Sequence, residues 1–222
     1  MKSTNYLNPT MFYNDYLDWL VLLDEFHNED CPPPMSAQQF YFEERIRYGS
    51  GLRVTEGINL IKSDFDLDHR ILKIWNPKTK KGGYQKTTIL PYDVKPIERF
   101  LYKYSDCEQL FPVTRSTLWR YSKNASILGG MNIFEAKDEI EINGAWTHLL
   151  RSSCSKMYDD AGAKHSIVQK KLRHGGKDVT DRYTKVDLQA VLDFDEEHFH
   201  TCLAKPVIDK PFVKPLIEEV VS

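Results

Sequence analysis

The spacing of apolar residues changes period several times along the chain, and each change predicts an element. Residues 11–29 place Tyr13, Tyr16, Leu17, Leu20 and Leu23 at helical intervals, so an amphipathic helix is expected there. Pro32, Pro33 and Pro34 stop it and mark the clearest boundary in the sequence. Ser36 followed by Gln39 has the spacing of a capping box, which predicts a second helix over 37–48. Gly49 and Gly51 close that helix, and a short one opens near Val54. Two β-type runs follow, Ile71 to Trp75 and Thr87 to Leu90, joined by a turn rich in Lys and Gly, so a hairpin is expected. Helical spacing returns over about 94–104, 115–128, 146–161, 165–173 and 186–199. The stretch 129–143 reads as an acidic loop, and the tail beyond Lys205, with Pro206, Pro211 and Pro215, as extended. Together these predict an α+β fold, mostly helical with a small antiparallel β-hairpin or sheet. Its parts are an acidic N-terminal helix (1–34), a main domain (35–200) and a Pro-containing tail (201–222).

Composition narrows the class. Hydrophobic residues make up 41% of the 222, enough for a sizeable core and against wholesale disorder. The cysteines, at 31, 107, 154 and 202, include no C-x-x-C pair, so neither a disulfide framework nor a zinc site is expected. A reducing, cytoplasmic setting is the simple expectation. No secretory signal is visible, and the apolar run Trp19 to Leu23 is too short to span a bilayer. The net charge of −2 hides a division: −7 over residues 1–44, +10 over 45–186 and −5 over 187–222. A basic centre between acidic ends suits a phosphate-binding core, although an ordinary mixed surface gives similar fluctuations.

Four local patterns carry possible chemistry. In Gly51-Leu52-Arg53-Val54-Thr55-Glu56, glycines deliver Arg53 to a helix start, where a guanidinium and backbone N–H groups can meet a phosphate and Glu56 can orient the arginine. In the turn from Lys78 through Lys80 and Lys81 to Lys86, a flexible ammonium can approach DNA and carry a proton. In His148-Leu149-Leu150-Arg151 the i,i+3 spacing puts imidazole and guanidinium on one helix face. Leu172-Arg173-His174 is followed nine residues after the histidine by Tyr183. Read singly, each is more often structure than chemistry: a solvated turn arginine, a lysine-rich loop, a chance His-x-x-Arg, a chance tyrosine.

In this order, however, the patterns resemble the tyrosine recombinase (phage integrase) family, specifically its catalytic domain. That family has a Gly-Leu-Arg-x-Ser/Thr-Glu box, a hairpin lysine, a His-x-x-Arg box and a Gly-His segment leading to a nucleophilic tyrosine. Leu110-Phe111-Pro112 also resembles the family's Leu-Phe-Pro, and the likeness covers about residues 35–190. The strand sequence Lys86-Thr-Thr-Ile-Leu-Pro91 favours Lys81 over Lys78 and Lys80 as the hairpin lysine. Two departures stand out: Arg173 replaces a residue that is usually small, and Ser152-Ser153 follows Arg151 where His-Thr is frequent. A full helical DNA-clamping domain is expected to be absent, since only some 34 residues, acidic on balance, precede Ser36.

The resemblance implies a site-specific DNA recombinase or integrase working through a 3′-phosphotyrosyl intermediate, without metal, ATP or other cofactor. It implies catalytic roles for Arg53, Lys81, His148, Arg151, His174 and the nucleophile Tyr183, with Glu56 in support. Lys78, Lys80, Lys86, Lys170, Lys171 and Arg173 are the expected DNA contacts. The implied partners are double-stranded DNA and three further copies of the chain, as a tetramer on synapsed sites, with no membrane. The segment from Val186 to His200 packs either on a neighbouring protomer or on its own domain. The competing readings are type IB topoisomerase-like relaxation of DNA and a non-catalytic DNA-binding remnant.

Overall fold

Ser36 caps the first helix among the described residues, α1 (Ala37–Gly49), as its local sequence requires. Its hydroxyl accepts from Gln39 N at 3.2 Å, and the Gln39 side chain accepts from Ser36 N at 3.0 Å. These bonds satisfy two of the donors that every helix start leaves open. They belong to a computed structural model that describes residues 35–75, 83–128, 139–173 and 186–199, with the backbone alone at 126–128 and 139–147. The helix expected over 11–29 and the tail beyond Lys205 lie outside the described residues.

α1 is buried on most of its circumference. Phe40, Phe42, Ile46 and Tyr48 enter the apolar core, where Phe42 and Phe111 each stack on Phe100 at centroid distances of 4.5 and 5.7 Å. Each such side chain contributes about 1.5–3 kcal/mol through its burial. The same helix buries Glu43, Glu44 and Arg47. Arg47 donates to Glu44 at 2.5 Å, and Ser122 donates to the same oxygen at 2.9 Å. Burial pushes the Glu43 carboxyl up to about 8, against the opposing pull of Arg47, whose Nε lies 3.3 Å away.

After α1 come the one-turn helix α2 (Val54–Gly57) and a three-stranded antiparallel sheet in the order β1 (Phe65–Asp66), β2 (Ile71–Trp75), β3 (Tyr84–Thr88). The register sets Ile71 opposite Thr88 and Trp75 opposite Tyr84. The hairpin forms as expected, but its second strand is Tyr84–Thr88 rather than 87–90. Ile89 and Leu90 belong to the core instead, and the chain turns over Pro91–Asp93. β1, only two residues long, was too short to leave a period in the sequence.

The remaining helices are α3 (Val94–Lys103), α4 (Arg115–Leu128), α5 (Glu139–Asp160), α6 (His165–Lys171) and α7 (Leu188–Phe199). α5 starts at Glu139 rather than near 146. Residues 139–143, expected as loop, therefore belong to this helix, and the rest of that expected loop, 129–138, lies outside the described residues. α5 packs along α1, and α6 and α7 pack on each other and on β3.

α7 lies on its own domain, the second of the two expected placements. Val191, Asp195 and Phe199 point inward, and Asp195 accepts from Thr88 at 2.5 Å and from the Tyr158 hydroxyl. Among the described residues no helix is long and apolar enough to cross a membrane.

Candidate active site

The turn after α1 is shaped by Gly51. Its φ of +59° lies in the left-handed region, and a Cβ there would come within 2.5 Å of Leu172 Cδ2 and 3.3 Å of Cys154 Sγ. A glycine therefore lets the turn nest against α5 and the end of α6. It also brings the Gly51 carbonyl under two arginines from those elements.

Arg53 stands in extended conformation at the start of α2. Glu56, one turn on, accepts from Arg53 N and from Arg53 Nη1, both at 2.8 Å. Arg151, on the buried face of α5, donates through Nη1 to Gly51 O at 2.5 Å and through Nη2 to Leu172 O. Its Nη1 lies 4.0 Å from Glu56. Arg173, just past α6, donates through Nη2 to Glu56 at 2.7 Å and to Gly51 O at 3.1 Å. Its Nη1 reaches Ser50 O and Lys171 O, each at 3.2 Å.

Three guanidiniums thus surround one carboxylate, leaving a surplus of two positive charges. The Arg53 side chain is 41% exposed, against 6% for Arg151 and 2% for Arg173, so Arg53 presents that charge to an incoming anion. Burial alone would raise the Glu56 carboxyl. The Arg173 charge and the hydrogen bonds from Arg53 outweigh it and hold the group below the usual carboxylate range. Burial lowers Arg151 to about 10, helped by the charges of Arg173 and Arg53, yet it stays protonated at neutral pH.

His148 sits one turn before Arg151 at the exposed rim. Partial burial of the ring, then the charges of Arg151, Arg53 and Arg115, push its pKa below the ordinary histidine value. A neutral imidazole beside a cationic cluster can accept a proton. Cys154, beneath the site, is raised to about 11 by burial and is therefore a packed thiol rather than a nucleophile.

The structure brings together Arg53, Glu56, His148, Arg151 and Arg173. Lys78, Lys80, Lys81, His174 and Tyr183 lie outside the described residues. Of the expected DNA contacts, Lys86 and Lys170 are exposed. Lys171 and Arg173 are corrections. Lys171 has no solvent-exposed side-chain surface and donates to Thr88 O at 3.0 Å and Thr88 Oγ1 at 2.7 Å, with Asp195 at 3.5 Å. Arg173 faces Glu56 rather than solvent. Both side chains spend their donors on buried acceptors, so neither reaches a phosphate in this conformation. The local string Gln169-Lys170-Lys171 concealed this, because the balancing carboxylate is Asp195 on another helix. Sequence reasoning also missed the Gly51 carbonyl as an arginine acceptor and Arg115 as a charge near His148; neither carries a local signal.

A cluster of guanidiniums with surplus positive charge on a mostly helical α+β domain is suited to holding an anion. Residues 34–190 match the sequence profile of the Phage integrase family, and the chain belongs to that family. Relatives include tyrosine recombinase XerD of Vibrio cholerae, 24% identical over 76% of this chain and 57% of that protein. Another is tyrosine recombinase XerC of Bifidobacterium longum, 29% identical over 65% of this chain and 42% of that protein. The chain spans about half the length of these curated relatives. Among solved structures, XerH site-specific recombinase bound to palindromic difH substrate superposes with a TM-score of 0.58 at 19% identity, covering 86% of this chain and 54% of XerH. The Tn1549 transposon integrase in complex with transposon right end DNA gives 0.52 at 14% identity, covering 90% and 69%. At these identities the likeness establishes the fold.

Proposed function

We propose that this chain is a site-specific DNA recombinase or integrase that cleaves and rejoins strands through a 3′-phosphotyrosyl intermediate. The observation that carries the reading is the meeting of Arg53 and Arg151, distant in sequence, around Glu56. An anion site with surplus positive charge and one exposed guanidinium suits a phosphodiester whose negative charge grows toward the transition state.

The Tyr183 phenol attacks the scissile phosphorus, a P–O bond to tyrosine forms, and the bond to the 5′ oxygen breaks. His148, held neutral, accepts the phenolic proton or positions the group, and Lys81 protonates the departing 5′ oxygen. Arg53, the exposed guanidinium, stabilises the non-bridging oxygens; Arg151 joins it by exchanging one of its bonds to the Gly51 and Leu172 carbonyls for a phosphate oxygen, and His174 donates a further hydrogen bond. Glu56 keeps Arg53 in place. The covalent ester conserves the energy of the phosphodiester, so rejoining by a 5′ hydroxyl needs neither ATP nor a metal ion. Exposed Lys86 and Lys170, with Lys78 and Lys80, contact the backbone of double-stranded DNA. Strand exchange between two duplexes takes four protomers.

The test is a nicked DNA from the gene's own flanks, on which the 5′ product diffuses away and the adduct accumulates. Wild-type protein is expected to give a denaturation-resistant adduct, and Arg151→Ala to form it about 100- to 1,000-fold more slowly, as for other lost transition-state donors. Near-normal adduct formation by Arg151→Ala contradicts the phosphate-clamp role.

A further inference from the structure

Arg173 occupies a backbone conformation that most side chains avoid. Its φ is +55°, and among the described residues only Arg70 shares a positive φ without being glycine. Such a conformation persists where the surroundings hold it. Here the holding is done by the side chain itself, through donors to Ser50 O, Gly51 O, Lys171 O and Glu56.

We propose that Arg173 is a positioning residue of the cleavage site, which acts through Glu56 to aim the Arg53 guanidinium and ties the chain just past α6 to the Gly51 turn. This rests on the recombinase reading above. With 2% of its side chain exposed, Arg173 does not meet the DNA phosphate directly.

The geometry of Glu56 carries the inference. Oε1 faces Arg53 Nη1, while Oε2 is shared by Arg53 N and Arg173 Nη2. Arg151 stands off at 4.0 Å from the same Oε2. Arg173 therefore fixes the rotation of the carboxylate. Without it, Oε2 is free to close on Arg151, which drags Oε1 off Arg53 and diverts the one guanidinium that faces solvent. The same side chain grips two carbonyls of the turn that launches Arg53. One buried fork thus couples that turn to Glu56, where a shift of about 1 Å is enough to cost on the order of 100-fold in rate.

The test compares Arg173→Gly, Arg173→Lys, Glu56→Gln and the double variant Arg173→Gly/Glu56→Gln with wild type on the nicked DNA. Glycine accepts the backbone conformation, so the turn survives while the fork is lost. Arg173→Gly is expected to bind DNA within about threefold of wild type, yet to form the covalent adduct roughly 10- to 100-fold more slowly. Because the defect runs through Glu56, the double variant is no slower than the slower single variant. The acid limb of the pH–rate profile moves to higher pH in Arg173→Gly, since the carboxyl loses a cation that holds it ionised. Arg173→Lys recovers part of the rate. The proposal is overturned if Arg173→Gly cleaves at the wild-type rate, or if its defect multiplies in full with that of Glu56→Gln. Should the glycine variant not fold, a wild-type rate for Arg173→Lys overturns it equally. A wild-type protein that forms no adduct sinks the recombinase reading instead.

Discussion

Replacing Asp195 by Asn tests how the domain holds α7, the helix that begins five residues after Tyr183. The native carboxylate is fully buried and accepts from Thr88 Oγ1 at 2.5 Å and from the Tyr158 hydroxyl. The Lys171 ammonium, equally buried, lies 3.5 Å away and 5.2 Å over the Tyr158 ring. Asn keeps the shape and one acceptor but removes the carboxylate that pairs with that ammonium. Removing one partner of a buried pair costs about 3–5 kcal/mol, and the retained acceptor puts the expected loss near the lower end. For a chain of this length each kcal/mol lowers Tm by about 2–4 °C, so the expected fall is on the order of 6–12 °C. Thermal and urea unfolding followed by circular dichroism read it directly. The double variant Lys171→Met/Asp195→Asn removes the stranded charge and regains most of the loss. A loss below about 1 kcal/mol in the single variant, within the range of exposed pairs, refutes the reasoning. So does a double variant no more stable than the single one.

Two further predictions concern the parts beneath the site. Gly51→Ala forces a side chain into the left-handed region and against Leu172, so it costs roughly 1–2 kcal/mol from conformation alone and more from the clash; unchanged unfolding would contradict the turn geometry. Glu43 binds its proton more tightly when folded, about 8 against 4.5, so the native state holds a proton that the unfolded chain has released between those values. Stability contributed there is present below pH 4.5 and lost as pH rises toward 8, by at most about 1.4 kcal/mol per unit. Glu43→Gln should flatten that decline in urea titrations from pH 5 to 8, and an unaltered slope would mean that Glu43 is ionised in the fold.

Legibility in the sequence followed the range of the interactions. The Ser36–Gln39 capping box closes within four residues, and it was visible in the string. So were Gly51, Arg53 and Glu56, because a turn, a helix start and an i,i+3 partner are local. The hairpin was visible but its second strand was displaced, since apolar Ile89 and Leu90 look more strand-like than exposed Tyr84 and Lys86. The start of α5 was hidden because acidic residues in a first turn resemble a loop. Lys171 and Arg173 were misjudged for a different reason: a buried cation is betrayed only by its partners, and these stand on α7 and α2. His148 and Arg151 were placed on one face by spacing, but the depth of Arg151 beneath the Gly51 carbonyl is a tertiary fact.

In the proposed function, Arg53, Arg151 and their neighbours serve a tyrosine nucleophile. The most direct measurement of that role is peptide mapping of the adduct trapped on nicked flanking DNA, with Tyr183→Phe run in parallel. The expected result is a nucleotide covalently attached at Tyr183, and a phenylalanine variant that still binds the DNA but yields no adduct. An adduct on any other residue, or one that persists in Tyr183→Phe, contradicts it.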